Sequence, residues 1–270
     1  LGGNAPSPGR CGHAAVSQGQ QNMLIMGGRA GNLVLEDQHS LNVERERWHT
    51  VALSTAATPF PRVYFRACAL QGIEWATFLF GGTDGSAVLA DIWRFMLSTD
   101  NTGTWRRLRP RGAAPCGRMN HAMAAADSRL FIHGGDADNE TLLDDLWTFD
   151  PTATTWQQIE ASDPGPRPPP RCSHCLAWLE EPGLLIVFGG LMAAETAYSA
   201  VDSGGGGGGG ADSWAPTNDL WTLSMDAESG SSDSAWRHIV FDSIGPSPRS
   251  LSAVAVRPGS GIMFLFGGHG

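Results

Sequence analysis

Short apolar runs closed by glycine, not long helical stripes, organise this chain. An apolar run ends in a double glycine five times: LIMGG at Gly27 and Gly28, FLFGG at Gly81 and Gly82, FIHGG at Gly134 and Gly135, IVFGG at Gly189 and Gly190, and FLFGG at Gly267 and Gly268. The intervals between first glycines are 54, 53, 55 and 78 residues. The long interval holds the heptaglycine run Gly204 to Gly210 inside a polar stretch, 193–217, which reads as a solvated loop insertion in one repeat. A fixed period of this length points to a repeat architecture, and the repeat has to be recognised before any local element is assigned.

Two further markers travel with the glycines. Upstream is a Pro- or Gly-containing turn that ends in Arg10, Arg62, Arg118, Arg171 or Arg249. Downstream, an apolar segment opens with Asp-x-Trp at Asp91–Trp93, Asp145–Trp147 and Asp219–Trp221, and the first repeat reads His39-Ser40-Leu41 in that place. A lone Trp then opens another alternating segment at Trp48, Trp105, Trp156 and Trp236. Each period therefore carries four strand candidates separated by turn signals, with repeat units at 10–61, 62–117, 118–170, 171–248 and a partial 249–270. Four antiparallel strands per unit of about 50 residues is the arithmetic of a β-propeller blade, so the expected class is all-β and the expected organisation a single propeller domain over 1–270. Blades stacked around a ring cover both faces of every sheet, which a lone sheet cannot do.

The marker residues have physical reasons to recur. A glycine pair at a strand end implies positive φ or a close pass against a neighbour. A Trp brings a large apolar surface and one N–H, which suits the space between two sheets if the indole finds an acceptor. Asp at the entry of a strand hydrogen-bonds nearby donors.

The order of Arg turn, apolar strand, Gly-Gly, aromatic strand and Trp strand resembles the kelch repeat, over nearly all 270 residues. That resemblance implies a kelch-type propeller that binds other proteins through loops on one face, without catalysis and without a cofactor. It also implies an adaptor within a larger assembly, in the cytoplasm or at a cytoskeletal or ciliary structure. Propeller enzymes are the alternative. The copper-radical oxidases with kelch-like blades need a Tyr–Cys cross-link, a second Tyr and two His, but only Tyr64 and Tyr198 occur here. The iron-dependent specifier proteins carry Glu, Asp and His at four-residue steps, and no such series is found in this sequence. Because the fifth repeat stops after FLFGGHG and Leu1 reads as the tail of a preceding Trp strand, a longer native chain with six or more blades is expected.

Composition narrows the partners. A formal net charge of -9 disfavours phosphate backbones and anionic lipid, so nucleic acid is not expected. The longest apolar runs fall far short of the roughly 20 residues a spanning helix needs, so no membrane insertion is expected. Five cysteines without framework spacing suit a reducing compartment. Cys172 and Cys175 form a CxxC, but no second pair completes a zinc site. His13, His121 and His174 each stand three places after the turn Arg, and recurrence in register favours a structural role over metal binding. The five turn arginines either pair with a local Asp or turn carbonyls in their own blade, the favoured reading, or form a basic ring for acidic ligands.

The segments that differ between repeats are the candidate partner-binding loops: 29–38, 83–90, 136–143 and 191–217. Within them the candidate contact residues are Arg29, Asn32, Asp84, Ser86, Asp136, Asp138, Asn139 and Glu140.

Overall fold

The computed structural model describes residues 2–3, 5–19, 21–70, 75–126, 128–160, 165–196, 214–225, 235–241 and 245–270. The heptaglycine run and most of the insertion lie outside the described residues. Among the described residues only 194–196 are helical, and the rest of the regular structure is β.

The first sheet contains β1 (Gly2–Gly3), β2 (Ala14–Gln18), β3 (Asn22–Met26), β6 (Gln38–Asn42) and β7 (Arg47–Thr50), in the order β1-β7-β6-β3-β2. A small hairpin of β4 (Arg29–Ala30) and β5 (Leu33–Val34) stands between its second and third meander strands. The second sheet has the order β8-β12-β11-β10-β9, from β8 (Ala52–Leu53), β9 (Arg66–Leu70), β10 (Ala76–Phe80), β11 (Ile92–Leu97) and β12 (Thr102–Arg107). The third is the meander β13 (Ala122–Ala126), β14 (Arg129–Asp136), β15 (Leu142–Asp150) and β16 (Thr155–Ile159). The fourth is β17 (Cys175–Leu179), β18 (Leu184–Ala193), β19 (Trp214–Ser224) and β20 (Arg237–Ile239), and the fifth repeat contributes the hairpin β21 (Ala253–Arg257) and β22 (Ile262–Phe266).

Side-chain patterning explains the strands. β2 and β13 alternate buried and more exposed residues, as a strand covered on one face does. β10, sequence ATFLF, is buried along its whole length, as a strand covered on both faces must be. Parallel two-residue pairings add an edge to the Trp strands: Gly2 and Gly3 lie beside Arg47 and Trp48, and Ala52 and Leu53 beside Thr102 and Gly103. Chain contacts group into two compact units, 1–120 with 125–131 and 148–157, and 121–124 with 132–147 and 158–270.

Three details of the sequence reading change. The first repeat does carry the Asp motif, two residues earlier than His39-Ser40-Leu41. Met26 pairs with Gln38 as Phe80 pairs with Ile92, so Asp37-Gln38-His39 occupies the place of Asp91-Ile92-Trp93, with an imidazole in place of the indole. The double glycines end β3, β10 and β22, but β14 and β18 run on through theirs, with a bulge between Phe188 and Gly190. The fourth candidate loop is also shorter than 191–217. Leu191 to Ala193 pair with Trp214 to Thr217, so the insertion is carried on an extended hairpin.

Within each unit, the second glycine of a doublet joins its sheet to the next repeat. Gly82 N donates to Arg118 O at 2.9 Å, Gly135 N to Arg171 O at 2.8 Å, and Gly190 N to Arg249 O at 2.9 Å. Gly82 holds φ of +88°, and a Cβ there would stand 2.7 Å from Val63 O and 2.8 Å from Phe65 Cβ. Gly85 has a similar φ of +93° but open space around it. Gly82→Ala is therefore expected to cost about 3 kcal/mol or more, from strain plus a backbone clash, and Gly85→Ala only about 1–2 kcal/mol from strain. Urea unfolding of the two variants checks this. Equal losses would contradict it.

Candidate docking surface

The turn arginine fixes the ends of the candidate loops. Arg62 Nη1 and Nη2 donate to Asp91 Oδ1 and Oδ2 at 2.5 and 2.9 Å, Nη1 also to Gly81 O at 3.0 Å, and Nε to Phe60 O at 3.0 Å. Arg171 repeats this set on Asp219, Gly189 O and Pro169 O, and Arg10 makes the carboxylate and Gly27 O bonds with Asp37. Arg249 reaches Gly267 O and Ser247 O in the fifth repeat. A bidentate, charge-assisted pair of this kind is the strong form of the interaction. The Asp then accepts from the residue two places on: Trp93 Nε1 at 2.6 Å, Trp147 at 2.7 Å, Trp221 at 2.6 Å, and in the first repeat His39 Nε2 at 2.8 Å. For Arg10, Arg62 and Arg171 the geometry is that of pairing within the repeat.

The electrostatics follow. Arg10, helped by His39, outweighs the effect of burial and lowers the Asp37 carboxyl from 3.8 to about 2. Burial by itself would raise Asp91 and Asp219, but Arg62 and Arg171 outweigh it and hold both below the ordinary value.

The lone Trp residues lie between sheets. Trp105 packs at 4.8 Å from Phe95 and shares a cluster with Leu24 and Met26 of the first sheet. Trp156 meets Phe80 of the second sheet at 5.2 Å, and Trp236 meets His133 at 5.8 Å. Trp48 is buried as well. The Trp105 indole N–H is buried without an acceptor, so the Asp-paired tryptophans, not this one, are those that satisfy their N–H groups.

His174 contacts the buried His133, Nε2 to Nδ1 at 2.9 Å, and its ring lies where a Cβ on Gly134 would stand 3.0 Å away. Phe65, at the equivalent place, lies in the same way on Gly27. Among the described residues no group of three or more His, Cys, Asp or Glu is placed to hold a metal ion. Cys172 and Cys175 are buried, and the Cys175 thiol donates to Ser252 O at 3.4 Å. Burial pushes the Cys68 thiol up to about 12, away from thiolate chemistry.

On this frame the loops differ. Arg29 is exposed and lies 5.6 Å from the centre of the Tyr64 ring, a cation–π distance, while Asn32 is exposed in the turn of the β4–β5 hairpin. Asp84 folds its loop by accepting from Ser86 N and Ala87 N, and both Asp84 and Ser86 are exposed. Asp136 is different. It ends β14, is 2 % exposed, and accepts from Asp138 N and Asn139 N, so it shapes the loop from below, and Asp138, Asn139 and Glu140 are the exposed members. Leu142 and Leu143 belong to β15, and the open part of that loop is 137–141.

One recurrent site has no counterpart in the sequence reading. The residue two places after each turn Arg holds left-handed φ: Gly12 at 65°, Tyr64 at 59°, Asn120 at 52°, Ser173 at 56° and Leu251 at 58°. These residues link repeats directly, with Tyr64 N donating to Gly12 O at 3.1 Å, Asn120 N to Tyr64 O at 2.9 Å and Leu251 N to Ser173 O at 2.9 Å. No residue-type signal could have revealed the position, because five different side chains occupy it.

These features define a propeller of kelch repeats: four-stranded sheets, an arginine-clamped glycine turn and a Trp strand between sheets. The sequence profile of the KLHDC2/KLHL20/DRC7 Kelch-repeats domain matches residues 2–190, and the chain belongs to that kelch-repeat family. Adagio-like protein 3 of Oryza sativa subsp. japonica is 30% identical over 276 residues, covering 98% of this chain and 39% of its own length. Adagio protein 3 of Arabidopsis thaliana is 28% identical with the same coverage, and the serine/threonine-protein phosphatase BSL2 of Arabidopsis thaliana is 29% identical over 82% of this chain and 21% of its own. The chain thus spans about two fifths of the length of the Adagio relatives.

Removing the clamp should be costly. Arg62→Met leaves Asp91 buried without its ion partner, and a loss of about 3 kcal/mol or more is expected in urea unfolding. The pH dependence has a definite sign. A carboxyl lowered from 3.8 to about 2 adds stability that is present above about pH 4 and is lost as pH falls toward 2. Unfolding free energy measured between pH 5 and 2 should fall through that window, and Arg10→Gln should remove the part due to Asp37.

Proposed function

We propose that this chain is a non-catalytic protein-interaction module that docks partner proteins on the loops that follow its double glycines. The observation that carries the reading is the contrast between frame and loops. The same Arg–Asp–glycine clamp closes the first, second and fourth repeats, yet the segment it closes is a hairpin at 29–34, an Asp84-centred turn at 83–87 and an extended ladder at 184–224. Rigid anchors under variable loops are what composite recognition surfaces need. A kelch propeller and relatives more than twice as long as this chain support an adaptor role within a larger protein, in the cytoplasm or at a cytoskeletal or ciliary assembly. No described helix is long and apolar enough to cross a membrane.

The test is affinity purification with the intact chain and with a variant whose segments 83–90 and 137–141 are replaced by Gly-Ser linkers of equal length. Loss of partners from the variant with an unchanged thermal midpoint is expected. Retention of all partners would contradict the docking reading. Turnover of a small molecule by the purified chain would contradict the non-catalytic one.

A further inference from the structure

A cluster of arginines in the second repeat has no structural work to do. All 18 cationic residues of the chain are Arg, and Arg106, Arg107, Arg109 and Arg111 fall within six positions, in a stretch from 101 to 126 that contains no acidic residue. β11 brings a fifth. Arg94 lies directly opposite Arg106 in the antiparallel ladder, and like charges at directly opposed positions of a sheet oppose folding. All but Arg94 are exposed, and the buried Nε of Arg94 has no hydrogen-bond partner. Among the described residues, none of the five has an ion pair.

The other repeats show what the scaffold requires at these places. Ser40 faces His49 in the first sheet and Thr222 faces Arg237 in the fourth, where the second sheet has Arg94 facing Arg106. A hydroxyl residue therefore satisfies the fold at the Arg94 position. Charges on an outer strand commonly guard against edge pairing. That role accounts for Arg106 or Arg107, but not for Arg94 on the inner strand or for Arg109 and Arg111 beyond the strand end.

The cluster sits beside a candidate docking loop. Ala90, which ends the loop after Gly82, lines an open groove of about 330 Å³ with Asp91, Arg107, Leu108, Arg109 and Pro110. Asp91 is already held by Arg62 on both oxygens, so its charge is spoken for. Arg111 continues along the outer edge of the next sheet, where it bridges Thr155 in parallel.

We propose that Arg94, Arg106, Arg107, Arg109 and Arg111 form a recognition surface for an extended acidic segment of a partner protein, whose Asp or Glu side chains pair with the guanidinium groups. The inference rests on the docking reading and names the chemistry of the partner. Three observations select a peptide. Guanidinium forks in this chain engage carboxylates bidentately at Asp37, Asp91 and Asp219. Ala90, Leu108 and Pro110 give the groove apolar walls, which suit the side chains between acidic residues. A net charge of -9 over the whole chain works against long polyanions such as nucleic acid or an anionic membrane, whereas a short segment meets only the local positive field.

The test is fluorescence anisotropy with a fluorescein-labelled peptide of six Glu-Ala repeats and its Gln-Ala counterpart, titrated with the full chain. Saturable binding of the acidic peptide alone is expected, weakening as salt rises. Arg106→Gln with Arg109→Gln should weaken it tenfold or more at an unchanged thermal midpoint, and Arg94→Thr should weaken it while keeping or raising that midpoint. No binding, equal binding of the neutral peptide, or binding indifferent to these substitutions would overturn the proposal. Tighter binding of a twelve-residue oligouridylate would overturn it in favour of nucleic acid. Partners lost from the loop-replaced chain but retained by the arginine variants would leave the docking reading intact and remove this one.

Discussion

A guanidinium excluded from water must be given a carboxylate and carbonyl oxygens, and in this protein that requirement shapes each repeat. Arg62 and Arg171 are almost wholly buried. Each spends its donors on an Asp from the third strand, a carbonyl of the glycine turn after the second, and a carbonyl two residues before itself. One side chain thus fixes the start of the first strand, the end of the second and the entry of the third. The burial cost of the charges makes a broken pair far worse than an intact one, so the geometry is strongly specified even if the net stabilisation is modest.

The clamp also sets how repeats meet. It holds the turn in which the second glycine points its N–H at the next repeat's arginine carbonyl, seen for Gly82, Gly135 and Gly190. Only a residue without a Cβ fits there, because the space is already filled by the backbone and first strand of its own sheet. Beside this junction the left-handed residues Tyr64, Asn120 and Leu251 make a second direct link, and the lone Trp of each repeat fills the space farther out. Local pairing and coupling between repeats are therefore consequences of one turn. The loops above it are released from structural duty and free to diverge.

Much of this was legible in the sequence, because the residues that carry it are chemically irreplaceable at their positions. Gly82 cannot take a side chain, and an arginine, an Asp two places before an indole and a buried Trp leave marks that repeat at a fixed interval. What escaped notice had no fixed residue type. His39 does for Asp37 what Trp93 does for Asp91, so a search for Trp placed the first-repeat motif two residues late. The left-handed link accepts Gly, Tyr, Asn, Ser and Leu, since it uses only backbone atoms. Of the candidate contact residues, Asp136 was misread as loop surface because its role as a buried acceptor depends on a strand running through the double glycine. The arginine cluster was present in the sequence throughout, but its meaning depends on the register that sets Arg94 against Arg106.

The claim that most depends on these coordinates is that the glycine-turn amides, and not only the sheet interiors, carry the coupling between repeats. Native-state hydrogen exchange at Gly82, Gly135 and Gly190, compared with the exposed amide of Gly85, tests it directly. The account predicts that the three doublet amides exchange only with global unfolding, with a denaturant dependence equal to that of the buried strand β10. Exchange of those amides by local opening, at rates near that of Gly85, would contradict it.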